Sequence, residues 1–165
     1  HPNRKNLPGE GDEEEPSCPF GTLNVLRALA ARSQMADGPI ARRAAEYLLA
    51  CWQRRDVPYR PAGFGIGTTW AQVEYPFVQY QLLKMVDTLV QIPAVRGDPR
   101  LGQMLTLLSQ KRDDAGRWYA EGVDKNWSGY DFGQKRRPSP WITFLAVRTL
   151  MRAKAPAEEV EAAAA

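Results

Sequence analysis

Residues 140–150 read PWITFLAVRTL, and the same pattern stands twice earlier, as PFGTLNVLRAL at 19–29 and PFVQYQLLKMV at 76–86. Each copy opens on a proline followed at once by an aromatic residue: Phe20, Phe77 and Trp141. Three places after the proline comes a polar residue (Thr22, Gln79, Thr143), and at four an apolar or aromatic one (Leu23, Tyr80, Phe144). A basic residue stands at eight (Arg27, Lys84, Arg148) and an aliphatic one at ten (Leu29, Val86, Leu150). The prolines lie 57 and 64 residues apart, the spacing of an internal repeat.

The repeated segment reads as a helix with a marked start. Proline fits the first helical turn, where its missing N–H would have no partner and its φ is already helical. Ser139 is a good cap before Pro140 and Ser17 stands close to Pro19, whereas Tyr75 before Pro76 is a poor cap. Apolar residues then recur at three- and four-residue steps: Phe20, Leu23, Leu26 and Leu29 in the first copy, and Phe77, Tyr80, Leu83, Val86 and Val90 in the second. That is the stripe of a helix packed on one face. A second kind of helix follows, over 39–54 behind Asp37-Gly38-Pro39 and over 99–112 behind Gly97-Asp98-Pro99, each ending its apolar run in a Leu-Leu pair. The expected fold is all-α: repeated antiparallel hairpins joined by long loops at about 55–72 and 113–138, rich in Gly, Pro and aromatics. Residues 1–16 read as an acidic flexible arm, 17–155 as the hairpin-repeat domain, and 156–165 as a tail of uncertain structure.

Composition narrows the class. The chain has 165 residues, 44% hydrophobic and 25% charged, which suits one folded domain. Net charge is +3, with −3 in residues 1–16 and therefore +6 in the rest. The basic residues come as scattered pairs (Arg42-Arg43, Arg54-Arg55, Arg136-Arg137) without interleaved stacking rings, so nucleic acid is not the expected partner. No apolar run reaches the ~18 residues of a membrane span, and no export signal is seen, so the expected location is the cytoplasm. The start at His1 and the run Ala162–Ala165 read as the ends of a fragment or a processed chain. Cys18 and Cys51 lack the spacing of a zinc or redox site. A hairpin would bring them near each other, with a disulfide open as an alternative to the favoured pair of buried thiols. No metal and no cofactor are expected.

One stretch carries a family resemblance. Leu107-Leu108-Ser109-Gln110-Lys111-Arg112-Asp113-Asp114-Ala115-Gly116-Arg117-Trp118 resembles the Gln…Gly-x-Trp motif of the squalene–hopene cyclase and prenyltransferase repeats. The likeness extends over about residues 17–155, and the Pro-aromatic starts look more like an uncharacterised bacterial squalene-cyclase-like group. The resemblance implies a partial α/α toroid, about half of a barrel of about six hairpins. It also implies an apolar or isoprenoid small molecule as ligand, and a second copy or missing repeats to complete the ring. The family's Asp-x-Asp-Asp acid, Asp-Asp-x-x-Asp metal motif and zinc ligands have no counterpart; Asp113-Asp114 belongs to a turn before Trp118. No catalytic residue can be carried over.

Candidate site residues follow. Trp70, Tyr75, Phe77, Tyr80, Trp118, Trp127, Trp141 and Phe144 are read first as core between helices and second as the wall of an apolar pocket. Arg27, Lys84 and Arg148 occupy equivalent places on three helices and are candidates for an anion site, against ordinary surface ion pairing. Gln110, Gly116 and Trp118 are read as a structural tie. Gly63-Phe64-Gly65-Ile66-Gly67 lacks the ending of a phosphate loop and is read as a flexible connection. Glu74, Glu121 and Asp131 are loop carboxylates that spacing does not rank. Two functions remain: a non-catalytic module that binds an apolar ligand or a protein partner, or part of a cyclase-like enzyme whose acid comes from elsewhere.

Overall fold

The computed structural model describes residues 18–55, 68–77, 80–133 and 136–154. The acidic arm, Gly63–Gly67, Gln79 and the segment 156–165 lie outside the described residues.

The described residues form six α-helices: α1 Pro19–Ala30, α2 Ser33–Ala36, α3 Pro39–Gln53, α4 Leu82–Leu89, α5 Pro99–Gln110 and α6 Pro140–Lys154. The described residues contain no strand, only a single parallel bridge between Glu74 and Gly122. The chain is all-helical, as the sequence predicts. Four helices begin on the proline that marks them, because a residue without an N–H costs nothing in the first turn. The one-turn α2 is an element that the hydrophobic pattern does not signal.

The second copy departs from expectation. Its helix starts at Leu82, not at Pro76. The backbone ahead of it is held extended by partners far away in sequence. The Glu121 N–H donates to the Val73 carbonyl at 2.7 Å, and the Val73 N–H donates to Glu121 Oε2 at 2.6 Å. The Leu82 N–H donates to the Gln72 carbonyl at 2.9 Å. Gln81, extended itself, then caps α4 by accepting the Leu83 N–H on Oε1 at 2.8 Å. Pro76 follows a cis bond from Tyr75 within this excursion.

Packing sets two rows. α4 lies between α1 and α6; α3 and α5 form a second row, with α3 on α1 and α5 against both α4 and α6. All eight residues of α4 are buried, which explains its nearly unbroken apolar sequence. Leu23, Leu26, Leu48, Leu49, Leu83, Val86, Met104, Leu108 and Ile142 fill the space between the rows. Each stabilises the fold by roughly 1.5–3 kcal/mol through removal of its side chain from water. The second row is clamped by Arg100. It donates to both oxygens of Glu46 on α3 at 2.7 and 2.6 Å, and to Asp98, the residue that also caps α5. These bonds hold the Glu46 and Asp98 carboxyls below their ordinary range.

Neither Cys18 nor Cys51 is in a disulfide, and only Cys51 is buried; Cys18 is half-buried at the start of α1. The expectation of two buried thiols is corrected to one, because Cys18 precedes the first helical turn and sits at the rim of the core. Burial pushes the Cys51 thiol pKa up. No helix among the described residues is long and apolar enough to cross a membrane.

Candidate functional site

Within the apolar run of α4 stand two charges, Lys84 and Asp87, and they serve opposite sides. Asp87 turns to α6. It accepts from Arg148 Nη2 at 3.0 and 3.1 Å and from the Thr149 hydroxyl at 3.0 Å, with Arg152 Nη1 at 3.5 Å. Lys84 turns to α1. Only 2% exposed, it donates to Asn24 Oδ1 at 2.9 Å and its Nζ lies 5.0 Å from the centre of the Phe20 ring. No carboxylate among the described residues pairs with it. Burial, and then the nearby Arg27 charge, bring its pKa down to about 8.

Of the three repeat-equivalent cations, two therefore adjoin each other. Arg27 is exposed on the α1 face that carries Phe20 and Asn24, and its guanidinium lies 5.2 Å from the Phe77 ring centre. Arg148 does not join them as a free charge. Asp87 neutralises it, and its guanidinium lies 5.7 Å from the ring centre of Phe144, one turn back on α6. Of the three, Arg148 is paired with Asp87 and joins α4 to α6.

The aromatic candidates divide just as sharply. Trp70 and Tyr80 are buried and stacked, centres 5.1 Å apart, and Trp118 is buried as well; these three belong to the core. Tyr75, Phe77, Trp141 and Phe144 instead form a connected surface. Phe77 meets Tyr75 at 5.5 Å, Tyr75 meets Trp141 at 6.3 Å, and Trp141 stacks on Phe144 at 5.3 Å. A branch runs from Tyr75 to Phe132 at 5.2 Å, then to Tyr130 at 6.3 Å and Trp127 at 5.4 Å. Trp141 and Phe144 are 48% and 51% exposed, and Val147 and Met151 extend the bare apolar surface along α6. A pocket of about 370 Å³ opens beside Trp141, bounded by Phe132, Arg137 and Pro138. A larger open groove of about 880 Å³ between the ends of α5 and α6 contains no ring; its rim mixes Arg112 and Lys154 with Asp113 and Asp114.

The motif around Trp118 is a tie. Its indole N–H donates to the Leu108 carbonyl at 2.8 Å, and its backbone N–H donates to Thr143 Oγ1 at 3.0 Å. Its carbonyl accepts the Ser139 N–H at 2.9 Å, so one residue joins the end of α5 to the start of α6. Gly116 takes φ +75° in the turn before it, a conformation that side chains rarely adopt. The Asp113 carboxylate accepts from the backbone N–H groups of Ala115 and Arg117 and holds the same turn. Gln110 is exposed and has no part in the tie.

The loop carboxylates are occupied. Glu121 holds Val73 and accepts from Lys111 Nζ at 2.7 and 2.9 Å; Asp131 pairs with Arg137; Glu74 bridges to Gly122 through its backbone. No three His, Cys, Asp or Glu side chains among the described residues gather to hold a metal. Sequence reasoning missed Asn24, Phe132, Tyr130 and Asp87. The last had a visible signal: Lys84 and Asp87 are the only charges within residues 82–90. Asn24 had none, since its partner lies 60 residues away.

Compared with models of protein families, with curated proteins and with solved structures, the chain matches none.

Proposed function

We propose that the chain is a binding module without catalysis of its own, and that its ring-covered face takes an apolar small molecule ending in an anionic group. The observation that carries this is the unbroken path from Arg27 through Phe77, Tyr75 and Trp141 to Phe144. Exposed Trp141 and Phe144, joined to half-buried Tyr75 and Phe77, offer apolar area to a ligand, and exposed Arg27 at one end supplies its polar anchor. The helical rows and the turn at Gly116 support a partial α/α toroid of the squalene-cyclase-like kind, with α1, α4 and α6 as inner helices. In this proposal an isoprenoid chain is the natural apolar body. A filled interior and carboxylates already engaged favour binding over the cyclase-like enzyme.

The test is a titration of tryptophan fluorescence with farnesyl monophosphate, farnesol and inorganic phosphate, each below any aggregation threshold. The phosphate ester is expected to bind at least about tenfold more tightly than either part, a difference of about 1.4 kcal/mol. Trp141→Ala weakens the ester and the alcohol alike; Arg27→Gln weakens only the ester. Equal binding of ester and alcohol, or of none of the three, overturns the reading.

A further inference from the structure

A helix with neighbours on one side needs one apolar stripe, and α6 has two. Ile142, Leu145, Ala146 and Thr149 are buried against the rest of the fold. Trp141, Phe144, Val147 and Met151 follow one another at three- and four-residue steps along the other side, with Met151 67% exposed. A stripe of that kind fits a second helix of matching pattern, and α6 matches itself.

We propose that a second copy of this chain packs its α6 antiparallel on this one, about a twofold axis at the level of Ala146, and so closes the ring-covered face. About that axis Trp141 and Met151 are equidistant, so Met151 of the second copy comes over Trp141, while Val147 of the second copy comes beside Phe144. Each ring then meets an aliphatic side chain rather than its own image.

Charge sets the direction. α6 carries Arg148, Arg152 and Lys154 in its C-terminal half and no carboxylate anywhere. A parallel pair would stack these cations on their copies. An antiparallel pair sends them to opposite ends, each set toward the rings of the other copy's N-terminal half. The area suits a weak pair: roughly 100 Å² is bare on each of the four side chains, and with the arginine stems two copies bury on the order of 1,000 Å², the lower edge for a specific interface. A ligand supplies the rest. An open face covers one side of an apolar molecule, whereas a binding site encloses most of it, and the second copy provides the missing wall. This coupling rests on the ligand reading above; the pairing itself rests on α6 alone.

Sedimentation velocity of the full chain, over a wide range of concentration, reads the pairing, and farnesyl monophosphate reads the coupling. The expected result is a species of twice the monomer mass at high concentration, its midpoint lowered several-fold by the phosphate ester. Met151→Glu, at an exposed position, keeps the helical circular dichroism and abolishes the doubling. In a Cys18→Ser background, oxidised Val147→Cys links two copies near the axis. Met151→Cys does not, because its two copies stand about 15 Å apart along the helices. Monomer mass throughout, while tryptophan fluorescence still responds to the ester, overturns the pairing and leaves the ligand reading intact. A dimer whose midpoint ignores an ester that binds overturns the coupling; a Val147-linked dimer that binds no ester keeps the pairing and removes the ligand reading. An undiminished dimer in Met151→Glu, or equal linkage through Met151→Cys, overturns the α6 contact.

Discussion

At the scale of single residues, Lys84 is where the fold and its chemistry meet. Its ammonium is disfavoured by burial and by Arg27, so the folded chain releases the proton near pH 8 and the unfolded chain holds it to the higher, ordinary lysine value. Between those values the unfolded state binds more protons, and stability therefore rises with pH, by at most about 1.4 kcal/mol per pH unit. Urea unfolding of the parent and of Lys84→Met across pH 7–10 checks this. The difference between the two should shift in the parent's favour as pH rises through 8; a constant difference contradicts it. Trp118 is the opposite kind of residue, wholly structural. Trp118→Phe keeps most of the ring but removes the indole bond to the Leu108 carbonyl, which retains only the longer bond from the Lys111 N–H at 3.3 Å, for an expected loss of about 0.5–1.5 kcal/mol by urea titration. An unchanged midpoint would mean that the indole bond contributes nothing.

At the scale of elements, α4 is held by what its neighbours offer its two charges. The Arg148 guanidinium is one-third exposed, so water compensates part of any lost pairing. Asp87→Asn keeps the shape and removes the charge, and about 1–3 kcal/mol of stability is expected to go with it. Arg148→Met restores part of that in the double variant, measured as a double-mutant cycle. Strict additivity would show that the Asp87–Arg148 pair does not couple α4 to α6. The elements also mark how far the sequence was legible. Pro19, Pro39, Pro99 and Pro140 announce their helices because the first turn is a local matter: cap, proline and apolar step lie within a few residues. Pro76 misleads because residues 72–75 answer to Glu121, 48 residues from Val73, and because the cap that works is Gln81. Likewise Trp70 and Tyr80 were indistinguishable from Tyr75 and Phe77 by spacing. Only the packing of the two rows decides which rings are stacked inside and which stay half-buried at the edge of the core.

At the scale of the molecule, the two rows leave one flank of α6 uncovered, and on it lie Trp141, Phe144, Val147 and Met151. The rings join across three separate stretches of chain, 75–77, 127–132 and 141–144, which is why no linear motif displayed them. Arg27, at the end of that surface, and the buried Lys84 were visible as equivalent repeat positions; their places on α1 and inside the rows, and the pairing of Arg148 with Asp87, required the fold. The account's central claim is that this surface is where a ligand sits. The most direct measurement is the tryptophan indole N–H spectrum of the full chain, 15N-labelled and titrated with farnesyl monophosphate. The Trp141 indole, exposed among the rings, is predicted to move progressively to saturation, while those of the buried Trp70 and Trp118 stay in place. An unmoved Trp141 signal, or equal displacement of Trp118 and Trp141, would contradict the claim.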